Sequence, residues 1–362
     1  MVKKLKIIRQ AGGVLNRKVA IQIGKKEAMA RDPGNHYRYS NLGKGWARSL
    51  FNRMNMTFRA ATTGKILPTT LVKKVRLSFT NTLGQSISQY NIPAYMVLNF
   101  DQTPLLYCPA GKFTMAEKGS SKVPIAGKAD KRAMTAVFTV SMAGKFLPPQ
   151  LIYPGKTARS LPEFQFPASF HVTCNPNHWS NEETMCQYTE QILKPYFADQ
   201  RAEHGDIPGL VIFDRFKAHL TASFTETLQK LNLIAVLVPA NMTDFLQPLD
   251  LSVNKSAKDY FSDLFHDWYS HEIGEIDVQS QEYDEKIRDV LKSSVSLRNR
   301  SAEWMVSLFN HYQLSPQKEI IVNGFRAAGI TEPVKTGPTN DDPFSDIRSE
   351  ERRVGKECRS RW

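Results

Sequence analysis

A chain of 362 residues, 41% of them hydrophobic, is long enough for one large domain with a smaller companion and can supply a buried core. It has no run of eighteen apolar residues, its start MVKKLKIIRQ is not a secretory signal, and its four cysteines (Cys108, Cys174, Cys186, Cys358) form no CxxC pair; a soluble, intracellular protein in a reducing compartment is expected, without membrane association or a disulfide framework. The net charge of +13 is uneven: residues 1–95 hold 18 basic and 2 acidic residues, residues 96–347 hold 24 and 30, and the last fifteen hold 6 and 3, so a polyanionic partner is expected at the N-terminal end.

Residues 1–62 read as a small all-helical module. VKKLKIIRQAGG, NRKVAIQIGKKEAMA and GKGWARSLFNRMNM each carry apolar residues at helical spacing, Trp46, Leu50, Phe51 and Met54 in the last, while RDPGNHYRYSN between them is turn-rich. Short basic helices divided by glycine turns suit a small helical DNA-binding unit that meets phosphates with Lys and Arg. The expected double-stranded DNA contacts are Arg17, Lys18, Lys44, Arg48, Arg53 and Arg59. Residues 63–94 read as a basic connector rich in Thr and Ser.

From 95 to 272 the character changes. YMVLNFD, MTAVFTVSMAG and FLPPQLIYPG are apolar strand-like runs, the last two forming a hairpin through an Ala-Gly turn. SNEETMCQYTEQILKPYFADQRAE reads as a helix opened by a capping box of Ser180 with Glu183. Strand GLVIFD, helix ASFTETLQKLN, strand LIAVLVPA and the amphipathic helix NKSAKDYFSDLFHDWY complete an α/β layer design, a mixed sheet flanked by helices. Residues 273–330 add further helices.

Three aspartates follow apolar strands or precede helices: Asp101, Asp214 and Asp250. A lone carboxylate in such a place is costly, and a strand-end Asp often serves as a turn residue or helix cap. Three together have another explanation, shared divalent metal, because hard cations take oxygen ligands and open α/β sheets place ligands at the carboxyl ends of their strands. Asp244, in NMTDF, competes with Asp250 for the third place. His171, Cys174 and His178 in HVTCNPNHW lack a fourth zinc ligand and read as a loop, and GKTARS lacks phosphate-loop spacing.

NFDQTP, KGSSKV, DKRAMTAVFTVSMAGKFLPPQLIYPGKT, VIFDRFKAH and NMTDFLQPLDLSVNK resemble the DDE-superfamily endonuclease domain of pogo-type, Jerky-like transposases. GKGWARSLFNRMNMTFRAATT is similar to the last helix of a centromere-protein-B-type helix-turn-helix. The resemblance runs from residue 3 to about 330. It implies an RNase H-like fold, a nuclear location, and DNA cleavage and strand transfer with two Mg²⁺ or Mn²⁺ ions on Asp101, Asp214 and Asp250. It also implies a His near the site, here His219, and leaves a homodimer open.

Arg215 stands where the family often has Asn, and Phe100 where it often has Trp; a further upstream helix-turn-helix is absent, as in a truncated copy. An active transposase-derived endonuclease and a domesticated, catalytically inactive DNA-binding or chromatin protein both fit, and a ribonuclease H-type enzyme is disfavoured by the basic helical module. Residues 331–347 read as a disordered tail, and residues 348–362 (RSEERRVGKECRSRW) match a translated sequencing adapter.

Overall fold

The computed structural model describes residues 1–59, 67–111, 114–125, 127, 130–277, 279 and 282–330, so the expected tail and the adapter-like segment lie outside the described residues. Two compact units divide the chain, Met1–Lys74 and Val75–Trp362. No helix among the described residues is long and apolar enough to cross a membrane.

The first unit holds α1 (Val2–Gln10), α2 (Arg17–Arg31), α3 (His36–Ser40) and α4 (Lys44–Arg53). The Asn16 side chain accepts from the Val19 amide at 3.0 Å, capping α2. Leu5, Ala20, Ala47 and Leu50 are buried, which accounts for the apolar spacing in α1, α2 and α4. Gly24, inside α2, faces the Trp46 ring of α4 so closely that a Cβ there would lie 3.0 Å from ring atom Cζ3; glycine is required for the two helices to approach. The turn-rich connection contains α3, and the Tyr39 hydroxyl donates to Asp32 at 2.9 Å.

Most of the segment read as a connector is a long helix, α5 (Thr69–Gln89), in which the division between the units falls. Its Thr and Ser content conceals three apolar positions four residues apart, Phe79, Leu83 and Ile87, which are its buried stripe. The sheet comprises β1 (Val97–Leu106), β2 (Ala133–Ser141), β3 (Gln150–Pro154), β4 (His171–Asn175), β5 (Gly209–Phe213) and β6 (Leu233–Leu237) in the order β4-β3-β2-β1-β5-β6. β2 lies antiparallel to β1 and to β3, whereas β5 lies parallel to β1 and β6 parallel to β5. Strands β3-β2-β1-β5-β6 therefore form the RNase H-like mixed sheet expected from the sequence. All nine residues of β2 and all five of β5 are buried, so neither shows polar-out alternation, although β2 buries Thr135, Thr139 and Ser141 among its apolar residues.

Two local expectations are corrected. HVTCNPNHW is not simply a loop, because its first five residues form β4, parallel to β3 at the sheet edge; an edge strand with only half-buried side chains carries little apolar signal. The helix after it is not capped by Ser180 with Glu183: the box lies one residue later, Asn181 accepting from the Thr184 amide at 2.8 Å and Thr184 Oγ1 from the Asn181 amide at 2.9 Å. Asn181 has the extended backbone a cap needs, and Ser180 is buried beside it.

That helix runs from α6 (Glu182–Tyr188) through a wide π turn (Thr189–Leu193) into α7 (Lys194–His204). Between β5 and β6 comes α8 (Ala222–Lys230). After β6 follow α9 (Thr243–Leu246), a second π turn (Leu249–Val253), α10 (Asn254–Gly274), α11 (Tyr283–Asp289), α12 (Ser294–Tyr312) and α13 (Ser315–Ala328).

Candidate active site

Asp101 is not at the end of its strand, since β1 continues to Leu106 and Asp101 pairs with Phe138 of β2. On the other side the parallel ladder with β5 stops at Asn99 opposite Ile212. Asp101 thus sits just past the point where β1 and β5 part, the place where a parallel sheet opens a crevice. Asp214 directly follows Phe213, the last residue of β5. Asp250 is the second residue of the π turn that leads into α10. Such wide turns inside helices are uncommon and frequent at functional sites.

Asn254, one helical turn beyond Asp250, donates from Nδ2 to Asp101 Oδ2 at 2.6 Å and to Asp250 Oδ1 at 2.8 Å. One amide group therefore holds two carboxylates that would otherwise repel. Burial pushes the Asp101 carboxyl up to about 8, with the neighbouring charges of Asp250 and then Asp214 adding to it. Burial raises Asp250 as well, with the charge of Asp244 adding to it. The structure thus brings Asp101 and Asp250 together directly and places Asp214 within range of their charge. Asp244 is exposed on α9 at the margin of this group.

Asp214 has its own support. His219, 2% exposed, places Nδ1 2.9 Å from Asp214 Oδ1 and Nε2 2.7 Å from the side-chain nitrogen of Gln102. A carboxylate only accepts and an amide nitrogen only donates, so the ring carries its proton on Nδ1 and accepts at Nε2. His219 packs edge-on against Phe100 and Phe213, and Phe100 stacks on Phe213 with centroids 5.0 Å apart. An apolar nest thereby fixes the histidine that points Asp214.

Three oxygen-donor side chains, two of them with carboxyls raised by desolvation and like charge, are of the type a hard divalent cation takes, although among the described residues no three His, Cys, Asp or Glu side chains are gathered closely enough to hold an ion. The buried Oδ1 of Asn254, without a hydrogen-bond partner among the described residues, adds a neutral oxygen to this set. His171, Cys174 and His178 are not gathered in this way: they bond separately to Gln150, to the Thr157 carbonyl and to Thr135.

Residues 131–298 match the family described as DDE superfamily endonuclease, a span that contains Asp214 and Asp250. The human "Pogo transposable element with KRAB domain" is 24% identical over 229 residues, and its mouse counterpart 23%. By these matches the chain is similar to DDE superfamily endonucleases of the pogo type. The alignments cover 62% of this chain but 36% of either relative, so the chain spans about a third of the length of the curated relatives it matches. Among solved structures, a pre-cleavage Mos1 transpososome is similar at 12% identity and a TM-score of 0.42, covering 80% of this chain and 77% of that one. The catalytic domain of Mos1 mariner transposase is similar at 12% identity and a TM-score of 0.34, covering 72% of this chain and 97% of that one.

Within the matched span, Arg215 is exposed and makes no ion pair among the described residues. Asn99, Gln102 and Asn254 escape a search for acids because all three are neutral amides. Their signal is position: Asn99 and Gln102 flank Asp101, and Asn254 lies four residues after Asp250, on the same helical face.

The six basic residues expected at DNA, Arg17, Lys18, Lys44, Arg48, Arg53 and Arg59, all lie in the first unit and are all exposed. Arg17 and Lys18 open α2; Lys44, Arg48 and Arg53 lie on α4, with Arg59 beyond it. None of the six forms an ion pair among the described residues, whereas Lys4 is bonded to Glu27 at 3.1 Å.

Proposed function

We propose that this chain is a transposase-derived, nuclear DNA-binding protein whose DDE domain cleaves and transfers phosphodiester strands, with Asp101, Asp214 and Asp250 holding two Mg²⁺ or Mn²⁺ ions. The observation that carries the reading is the pair of carboxylates, Asp101 and Asp250, drawn onto one amide of Asn254 with Asp214 close enough to raise Asp101 further. Folding tolerates such a cluster at a cost, and a cation removes the cost.

Bound divalent ions supply charge neutralisation at phosphorus and an activated oxygen nucleophile. The chain's residues prepare the ligands. Asn254 keeps the Asp101 and Asp250 carboxylates converged, and His219 donates its Nδ1 proton to Asp214, fixing which oxygen stays free. Asp250 is preferred over Asp244 as the third acid because Asp250 shares Asn254 with Asp101 while Asp244 is exposed. The basic first unit would bring duplex DNA by phosphate contact through its six free cations.

A Mg²⁺- or Mn²⁺-dependent nicking assay on plasmid DNA, run beside Asp214→Ala, tests this. Nicking by the parent chain and none by the variant is the expected result. Equal activity in both, or none in either, defeats the catalytic claim. Arg215 favours the second reading, an inactive DNA-binding or chromatin protein that retains the fold, because an exposed cation next to Asp214 competes with metal. On that reading DNA binding persists without nicking.

A further inference from the structure

The three acid-bearing segments meet at one fully buried amide that the cluster itself does not use. Asn99, 0% exposed and two residues before Asp101 on β1, donates from Nδ2 to the Ile212 carbonyl at 2.9 Å. Ile212 lies on β5 two residues before Asp214. The other end of the same amide, Oδ1, accepts from the Leu249 backbone amide at 2.9 Å, and Leu249 is the residue before Asp250. Donor and acceptor are both satisfied, so the side chain has no remaining freedom to shift one partner without losing the other.

We propose that Asn99 is a positioning residue that sets the mutual spacing of Asp101, Asp214 and Asp250 and thereby the affinity of the site for divalent cations. The inference rests on the metal-binding reading above. β1 and β5 need no such clasp for their own sake, because their ladder already pairs Asn99 with Ile212. The π turn is different: Leu249 belongs to no strand, and its amide, at the first residue of that turn, is held by a side chain 150 positions away. A buried amide at that point converts sheet geometry into the placement of Asp250. Groups that orient metal ligands from behind typically cost about 10- to 100-fold in metal affinity when removed.

The test is Mn²⁺ titration of the full chain, read by loss of the free-ion electron paramagnetic resonance signal, with folding monitored by circular dichroism. Asn99→Leu keeps the branched heavy-atom skeleton and removes both bonds; Asn99→Ser, which can satisfy only one partner, serves where the leucine variant is not native-like. Thr139→Val is the control, since it removes a buried bond of β2 to the Tyr188 hydroxyl while leaving both Asn99 bonds in place. The expected result is Mn²⁺ affinity lower by about 10- to 100-fold in the folded Asn99 variants and unchanged in Thr139→Val. Parent-like affinity in a folded Asn99 variant overturns the proposal, as does an equal loss in Thr139→Val. If the parent chain itself does not bind Mn²⁺, or Asp214→Asn binds it equally well, the metal reading fails instead.

Discussion

The two units present polar groups in opposite ways. In the helical unit Met1–Lys74 the candidate DNA contacts are exposed cations without ion-pair partners among the described residues, each standing alone. In the sheet unit the candidate ligands are tied to neutral side chains, Asn254 and His219, and lie in a partly desolvated crevice. Exposed charges in water contribute small, additive, salt-screened increments. Interlocked, desolvated groups contribute large, non-additive ones. The first surface should degrade gradually under mutation, and the second abruptly.

The largest effect should come from the acids. Asp214→Ala should lower metal-dependent nicking by about 10³-fold or more, since a metal site supplies several kcal/mol and each 1.36 kcal/mol is tenfold. Duplex binding by gel shift should be unchanged; a variant that lost both together would erase the contrast between the units.

Next is pH. The Asp101 carboxyl is raised from 3.8 to about 8 by burial and by Asp250 and Asp214, so the folded protein holds this proton more tightly than the unfolded chain does. The stability it contributes is complete below pH 3.8 and is lost as pH rises through about 8. Without divalent ions the melting temperature should therefore fall across that window, and Asp101→Asn should remove most of the fall. Added Mg²⁺ should flatten the parent's profile, because metal binding displaces the proton. A parent curve that is flat without metal would contradict the cluster's electrostatics.

A packing change should have a smaller effect. Gly324 of α13 lies so close to the π turn that a Cβ there would fall 2.6 Å from the Pro248 carbonyl oxygen, two residues from Asp250. Gly324→Ala should destabilise the domain by about 1–3 kcal/mol, as overpacking does, measured by urea unfolding. It should also weaken Mn²⁺ binding, since the turn must shift; destabilisation with intact binding would show that the turn moves as a rigid piece.

The smallest effect should be at the helical unit. Arg48→Ala should weaken duplex binding only a few-fold, uniformly across sequences, and reduce the slope of log affinity against log salt by about 0.9. A loss confined to one DNA sequence would instead mark Arg48 as a base-reading residue.

Much of this architecture was legible in the chain. The apolar runs of β1, β2, β3, β5 and β6, the β2–β3 hairpin and the helices α1, α2, α4, α8 and α10 follow from local pattern, whereas the RNase H-like arrangement of the strands was implied by the family resemblance. Less legible were elements whose signal is weak or shared. α5 hides its stripe among Thr and Ser, β4 is a half-buried edge, and the cap at Asn181 has a competing Ser beside it.

The acids and the amides divide along the same line. By itself the sequence determined that Asp101, Asp214 and Asp250 end or follow apolar runs, because burial pattern and the cost of an isolated carboxylate act within a few residues of each position. Only the tertiary structure decided what holds them: Asn254 between Asp101 and Asp250, His219 against Asp214 and Gln102, and Asn99 joining β1, β5 and the π turn. The Asn99 amide links residues 113 and 150 positions apart, and no local period records such a bond. A buried donor or acceptor must find a partner wherever the folded chain offers one, and the partner's identity is set by the fold.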